Sequence, residues 1–98
     1  MSQYVKYLVC YDVTDNKSRT KFSNALKDLG LIPIQKSVFY GDLKPPEARS
    51  ISSLAKKFLN EETDSCFWFP CHLDLQKLRS CFGLKDFQYE EPDGFKVL

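Results

Sequence analysis

The sequence YVKYLVCYDVTDNKSRTKFSNALKDLG occupies residues 4–30 and contains the clearest strand and the clearest helix of the chain. Its first part, Val5 to Asp12, is rich in β-branched and aromatic residues and is apolar on both alternating faces. This pattern predicts a central strand that is covered on two sides. The second part has apolar residues at helical spacing between the capping residues 14–16 and Gly30, which predicts a helix over residues 17–29.

The elements that follow are shorter. Residues 31–43 are extended and too long for one ordinary strand, so we expect a bend, a bulge or two short strands, with Gln35 and Ser37 on the face of Phe39. A second helix begins at Pro45. Residues 64–70 predict a strand buried on both faces. Asp74 is expected to cap a short helix that ends at Gly83, and residues 87–89 and 95–97 predict two strands around a turn at 91–94.

This order of elements predicts an α+β fold, the ferredoxin-like βαββαβ sandwich with extra C-terminal β-strands. Both helices of that plan pack on one face of the sheet, so the other apolar face needs a cover. We therefore expect a homodimer packed sheet to sheet, in which residues from about 84 to 98 complete the interface. The 98 residues are expected to form a single domain.

Charge is unevenly distributed, although the net charge is only +1. Residues 1–57 hold ten Lys and Arg against five Asp and Glu, whereas residues 58–98 hold four against eight. The basic half suggests a surface for a polyanion, and solvated helix faces are the alternative. The apolar runs fall short of the ~20 residues of a membrane helix and no secretory signal is visible, so we expect a cytoplasmic protein without a membrane partner.

The four cysteines, Cys10, Cys66, Cys71 and Cys81, are irregularly spaced. Because no export signal is visible, reduced thiols are the expected state. A zinc site at Cys66, Cys71 and His72 is the less favoured alternative.

One carboxylate is distinguished by its position. Asp12 ends the first strand, where an ionised group is either a helix N-cap or a site residue. Because Thr14 and Asp15 lie nearer to the helix start, they are better placed to cap it, and Asp12 is a candidate site residue.

Two further clusters are candidates for contacts with nucleic acid. Lys17, Arg19 and Lys21 lie in the first helical turns, where the helix dipole disfavours positive charge, so phosphate contact or solvent exposure would explain them. Lys36, with Ser37 and Phe39, would offer a charge, a hydroxyl and an aromatic surface to a phosphate or a base. An amphipathic edge strand is the alternative for the second cluster.

These clusters combine into a family resemblance. Residues 7–43 resemble the CRISPR-associated Cas2 family in the order and spacing of Tyr11-Asp12-Val13-x-Asp15, Arg19, Gly30 and Gln35-x-Ser37-Val38-Phe39-x-Gly41. The resemblance implies a homodimer of ferredoxin-like protomers that bridges integrase subunits on duplex DNA during spacer insertion. Many members are also described as Mg²⁺-dependent endonucleases of RNA or double-stranded DNA.

The same resemblance implies roles for individual residues. The metal-binding, catalytic aspartate of the family falls on Asp12, its helix arginine on Arg19, and its Ser-Val-Phe segment on residues 37–39. Pro33 stands where members often carry a basic residue, which leaves more of the nucleic-acid contact to Lys36 and Arg19.

A single carboxylate per chain is a poor metal site. Two Asp12 side chains brought together at a dimer axis, with phosphate oxygens and waters, would suit Mg²⁺ or another divalent cation. The cation would polarise a phosphodiester and lower the pKa of an attacking water. No histidine is placed to act as a base, since His72 lies in a distant loop, so the chemistry would depend on the metal and on geometry. Two other hypotheses stay open: a related ribonuclease toxin of a toxin–antitoxin pair, and a ferredoxin-like regulatory module that binds a small ligand, with Asp12 structural.

Overall fold

The structure is a computed structural model that describes residues 3–81, 83–84 and 87–89. Its elements are β1 (Val5–Asp12), α1 (Asn16–Asp28), β2 (Ile32–Gln35), β3 (Val38–Leu43), α2 (Pro45–Phe58), β4 (Ser65–Pro70) and α3 (Leu75–Arg79). The strands form one antiparallel sheet in the order β2-β3-β1-β4. The predicted α+β, ferredoxin-like βαββαβ order is confirmed. Of the helices in the described residues, none is long and apolar enough to cross a bilayer.

The core lies between α1, α2 and one face of the sheet. Val9 of β1 is paired with Phe39 of β3 on one side and with Trp68 of β4 on the other, so these three side chains share that face. The buried core consists of Val9, Tyr11, Val13, Phe22, Leu26, Leu31, Phe39, Leu43, Ala48 and Ile51. We call this side of the sheet the helix face and the opposite side the second face.

The first helix begins after an N-cap residue, Asp15, and ends before a glycine, Gly30. The Asp15 carboxylate accepts the Ser18 backbone N–H at 2.8 Å and is the N-cap. Gly30, at φ +96°, takes the left-handed conformation that ends the helix. The predicted helix is confirmed with its bounds shifted by one residue. Because Asp15 caps the helix, Asp12 does not.

The extended segment at 31–43 is divided into β2 and β3 by a turn at residues 36–37. The register is irregular between Pro33, which pairs with Phe39, and Gln35, which pairs with Val38. The expectation of two short strands is confirmed. The assignment of Gln35 to the face of Phe39 is wrong, because one extra residue in a strand reverses the facing of every residue beyond it.

The second face is covered at one end and open at the other. Tyr40 is fully buried there because the Tyr89 ring packs on it at 5.5 Å and its hydroxyl donates to the Leu73 carbonyl at 3.1 Å. Phe67 and Phe69 of β4 are 59% and 42% exposed, and their rings stack at 6.2 Å. The prediction that residues 64–70 are buried on both faces is therefore wrong for the single chain, because the covering segment lies over Tyr40 and not over β4.

The C-terminal part differs from its prediction. Asp74 does cap a helix, accepting the Lys77 backbone N–H at 2.8 Å, but α3 ends at Arg79 rather than at Gly83. Residues 87–89 do not form a strand, and Tyr89 is held instead through its side chain by β3. The predicted strand at 95–97 and the turn at 91–94 lie outside the described residues.

Candidate metal and nucleic-acid site

Asp12 ends the central strand with an exposed side chain. It is paired with Ser65 of β4 and points to the second face, because its neighbour Tyr11 is buried on the helix face. Among the residues that the structure describes, none donates a hydrogen bond to its carboxylate. Both oxygens are thus available to a cation from outside the chain.

The backbone around Asp12 is held by neighbouring elements. The Tyr11 backbone N–H donates to the Ser37 carbonyl at 3.0 Å, which ties the end of β1 to the β2–β3 turn. The Tyr11 ring meets Phe22 edge-on at 5.3 Å. Burial raises the pKa of the Tyr11 hydroxyl, and the nearby Arg19 charge opposes this effect. Tyr11 is therefore a neutral core side chain that anchors the strand next to Asp12.

Arg19 is engaged within the protein. Its Nη1 donates to the Val13 carbonyl at 2.8 Å, and its Nη2 donates to Asn16 Oδ1. The first of these bonds joins α1 to the residue that follows Asp12. Since a guanidinium has five N–H donors, Arg19 keeps donors for a phosphate while it holds this turn. The predicted phosphate contact thus comes with a structural role that the sequence did not suggest.

A basic cleft lies between α1 and the β2–β3 turn. Its polar lining consists of Arg19, Thr20, Ser23, Lys27 and Lys36. Two of the three cations, Arg19 and Lys36, are predicted nucleic-acid contacts. Lys27 was not among the predicted contacts, although Arg19, Ser23 and Lys27 follow one another at intervals of four along α1, the spacing of a single helix face.

Lys17 and Lys21 lie outside this cleft. Both are exposed near the N-terminus of α1, where they line a shallow depression with Asn16 and Thr20. Four basic side chains of α1 are thus divided between two neighbouring surfaces, one facing solvent and one facing the β2–β3 turn.

The two remaining predicted contacts, Ser37 and Phe39, are less accessible than the basic side chains. Ser37 lies in the turn, half-buried, and its carbonyl is occupied by Tyr11. Phe39 is 1% exposed and its ring packs 6.1 Å from that of Tyr11 in the core. Its register on β3 directs the ring to the helix face, where Phe39 and Tyr11 are the aromatic residues that line the basic cleft, and its contact with nucleic acid stays a prediction.

The donor chemistry of the site fits a hard cation only in part. No group of three or more His, Cys, Asp or Glu side chains that could hold a metal occurs among the described residues. Asp12 contributes one unpartnered carboxylate, and Mg²⁺ is commonly held by one or two carboxylates together with phosphates and waters. The further ligands would therefore come from the nucleic acid or from a second copy of the chain.

An apolar surface continues from Asp12 along the second face. Cys10 is paired with Phe67, and Leu8 with Phe69, so these four side chains lie in two adjacent rows that start at Asp12 and Ser65. Cys10 and Leu8 are half-buried. We call Leu8, Cys10, Phe67 and Phe69 the open patch.

Neither the thiols nor the histidine supplies an alternative reactive group near Asp12. Burial raises the pKa of the Cys10 thiol, and burial together with the Cys10 charge raises that of Cys66 to about 12. Both thiols are therefore protonated near pH 7 and are poor nucleophiles. His72 is exposed and follows Pro70, which is paired with Tyr7, so it lies at the other end of the sheet from Asp12.

A comparison with protein families matches residues 5–77 to the family described as CRISPR associated protein Cas2. The CRISPR-associated endoribonuclease Cas2 of Korarchaeum cryptofilum is 39% identical over 80 residues, which is 81% of this chain and 85% of that protein. A protein of Francisella tularensis subsp. novicida with the same name, numbered 1, is 34% identical over 90 residues, 92% of each chain.

Two solved structures show the same fold. A hypothetical protein from Thermus thermophilus superposes with a TM-score of 0.66 at 28% identity, covering 71% of this chain and 84% of its own. Cas2 of Streptococcus pyogenes superposes with a TM-score of 0.58 at 25% identity, covering 72% of this chain and 90% of its own. The similarity thus extends over most of the residues in β1 to β4.

Proposed function

The chain belongs to the CRISPR-associated Cas2 family, and from this premise we propose that it is a metal-dependent endonuclease that cleaves phosphodiester bonds at Asp12. The observation that carries the proposal is the Asp12 carboxylate, which ends an interior strand of the sheet and is exposed without a hydrogen-bond donor among the described residues. The relatives named endoribonucleases support RNA as a substrate, and double-stranded DNA is the other substrate that we propose.

We propose that the active form is a homodimer in which the second faces of two sheets pack together. The open patch supports this proposal, because Phe67 and Phe69 expose apolar surface that a partner of equal shape would cover. Asp12 lies at the end of the patch, so a two-fold axis near it would bring two carboxylates to one cation. Residues from about 84 to 98 would complete the interface.

In the proposed mechanism the protein supplies placement and charge. Asp12 would hold Mg²⁺ or another divalent cation, which when bound polarises the phosphodiester and lowers the pKa of a coordinated water. Arg19, Lys27 and Lys36 would hold the phosphates on the α1 side of Asp12. Because the basic cleft binds the backbone and not the bases, recognition would depend little on nucleotide sequence.

We also propose the role that family membership suggests in CRISPR immunity. The dimer would bind duplex DNA and bridge integrase subunits during spacer insertion, in the cytoplasm and without a membrane partner. Lys17 and Lys21, exposed beside the basic cleft, would extend the surface for duplex phosphates. Binding and cleavage would then use overlapping surfaces, and only cleavage would need the Asp12 carboxylate.

The proposal is tested by incubating labelled RNA and duplex DNA with wild type and with Asp12→Asn, each with Mg²⁺ and with a chelator. Cleavage should fall by orders of magnitude in Asp12→Asn, while duplex binding stays within a few-fold of wild type. Because the amide matches the carboxylate in shape, the fold should survive, which circular dichroism would verify. Equal and chelator-insensitive cleavage by both proteins would refute the role of Asp12. If wild type cleaves nothing with any cation or at any pH, the endonuclease proposal is refuted and only the role of DNA-binding adaptor remains.

A further inference from the structure

The Asp64 carboxylate joins two segments that lie far apart in the chain. Its Oδ1 accepts the Thr14 backbone N–H at 3.1 Å and the Thr14 hydroxyl at 3.0 Å. Its Oδ2 accepts the Asn60 backbone N–H at 2.9 Å. Asp64 immediately precedes Ser65, the ladder partner of Asp12, so this side chain links the α2–β4 loop to the turn that follows Asp12.

The same turn is held from its other side by Arg19. The guanidinium binds the Val13 carbonyl at 2.8 Å, and the Val13 side chain is 4% exposed in the core. The Tyr11 N–H donates to the Ser37 carbonyl, so the backbone is held immediately before Asp12 by this bond and immediately after it by the bond from Arg19 to Val13. No described residue binds the Asp12 side chain, so its direction depends on this backbone frame and on the pairing of Asp12 with Ser65.

The hydrogen bonds of Asp64 suit it to support a metal-binding residue and not to bind the metal itself. Its oxygens accept four hydrogen bonds in all, the fourth coming from the Thr63 hydroxyl at 3.2 Å. These bonds, the Asn60 and Thr14 backbone N–H groups foremost, lower the pKa of Asp64 and keep it ionised. The bonds to Asn60 and Thr63 would order the loop by themselves, whereas the two bonds to Thr14 reach the segment that carries Asp12.

We propose that Asp64 is a positioning residue, which sets the direction of the Asp12 carboxylate by clamping Thr14. The inference rests on the proposed metal-dependent function of Asp12. Its physical basis is that a ligand must be held within about 0.5 Å of its productive place, and that groups behind a ligand typically contribute 10–100-fold in metal affinity or activity. Neither the resemblance nor the sequence pattern singles out Asp64, whose partner lies 50 residues away.

The test compares Asp64→Ala with wild type in three measurements: Mn²⁺ affinity without nucleic acid, the kcat and KM of cleavage, and the NMR order parameter of the Asp12 amide. We expect Mn²⁺ affinity and kcat to fall by about 10–100-fold while KM stays within about twofold, since the basic cleft is untouched. The Asp12 order parameter should fall from the rigid range near 0.85 toward the flexible range. Asp64→Asn, which keeps one acceptor oxygen, should recover part of each loss.

Two controls separate positioning from charge and from stability. Glu61→Ala removes an exposed carboxylate from the same loop and should behave like wild type. Ile51→Val, in the core, should lower the melting temperature without changing Mn²⁺ affinity or the Asp12 order parameter.

If Asp64→Ala only melts earlier, as Ile51→Val does, and keeps a wild-type Asp12 order parameter, Asp64 does not position Asp12. A wild type that neither binds Mn²⁺ nor cleaves would overturn the proposed function instead. The order parameter would still decide whether Asp64 holds Asp12 in place.

Discussion

The Tyr89 hydroxyl donates to Asp42 Oδ2 at 2.6 Å and accepts the Asp42 backbone N–H at 2.8 Å, which attaches the C-terminal segment to β3. Lys6 Nζ lies 3.4 Å from the other carboxylate oxygen of Asp42, whose side chain is 1% exposed. A buried carboxylate is costly unless its oxygens are paired. Burial, followed by the hydrogen bond to Asp42, raises the pKa of the Tyr89 hydroxyl, so this donor stays protonated at neutral pH.

We predict that Tyr89→Phe destabilises the fold. The substitution keeps the ring on Tyr40 and removes both a donor to a buried carboxylate and an acceptor for a backbone N–H. Such losses typically cost about 2 kcal/mol. Urea unfolding followed by circular dichroism measures the change in the free energy of unfolding.

The matched control is Tyr4→Phe, which also removes one hydroxyl but keeps a ring beneath Lys44 Nζ at 5.5 Å. Its free energy of unfolding should stay within about 0.5 kcal/mol of wild type. If both variants lose the same amount, the bond between Tyr89 and Asp42 has no special weight in stability.

The second prediction concerns the proposed dimer. Phe67→Gln removes an apolar ring from the centre of the open patch, where 59% of the side chain is exposed in the single chain. The dissociation constant of the dimer should rise by about 10-fold or more, because buried aromatic residues dominate such interfaces. Sedimentation equilibrium at several concentrations measures it.

Leu73→Gln is the control for that experiment. Leu73 is also a large exposed apolar residue, at 39%, but it follows β4 and lies outside the open patch. Its variant should associate like wild type. A wild type that is monomeric at micromolar concentration would refute the dimer, and with it the sharing of one cation by two Asp12 side chains.

The sequence predicted well wherever the signal is local. The strand at Val5–Asp12, the cap at Asp15 and the end of α1 before Gly30 each depend on residues within a few positions of one another. Alternation along β1 also revealed a second apolar face, of which Phe67 and Phe69 remain exposed.

The misses arise where distant segments meet. The bulge in β2 changed the facing of Gln35. The bond from Thr14 to Asp64 joins residues 50 positions apart, which no periodicity reveals. Lys27 could have been predicted to share a helix face with Arg19, because the two residues are eight positions apart, about two helical turns.

The third prediction concerns the order in which the thiols react. Cys81 is exposed, whereas Cys66 is buried enough for its pKa to reach about 12. The thiolate is the nucleophile that attacks a thiol reagent, so at pH 8 Cys81 should be modified first and Cys66 last. Mass spectrometry of peptides from timed samples, with urea-unfolded protein as control, measures the order. Rapid labelling of Cys66 in the folded protein would contradict its burial.

The same pKa sets a direction for stability at alkaline pH. The folded state holds the Cys66 proton more tightly than the unfolded chain, whose thiol has its ordinary pKa near 9. The contribution of Cys66 is therefore complete below about pH 9 and is lost as pH rises toward 12. Cys66→Ser should show a weaker fall in the free energy of unfolding over this range.

The fourth prediction addresses the basic cleft. Lys27→Ala and Lys36→Ala each remove one cation from the cleft that Arg19 shares, so each should weaken duplex binding for all sequences alike. In a plot of the logarithm of affinity against that of salt concentration, each change should make the slope shallower by about 0.9. Fluorescence anisotropy with two unrelated duplexes at several salt concentrations measures both effects.

Lys77→Ala is the control, since Lys77 is an exposed cation of α3 that does not line the cleft. It should leave the salt slope unchanged, and Arg19→Ala should differ from all three lysine variants. Because Arg19 also holds the Val13 carbonyl, its loss should reduce both the salt slope and the melting temperature, whereas Lys27→Ala and Lys36→Ala should reduce the slope alone. If Lys77→Ala weakens binding as much as Lys27→Ala, the interaction is a diffuse attraction to net charge and the cleft is not the binding surface.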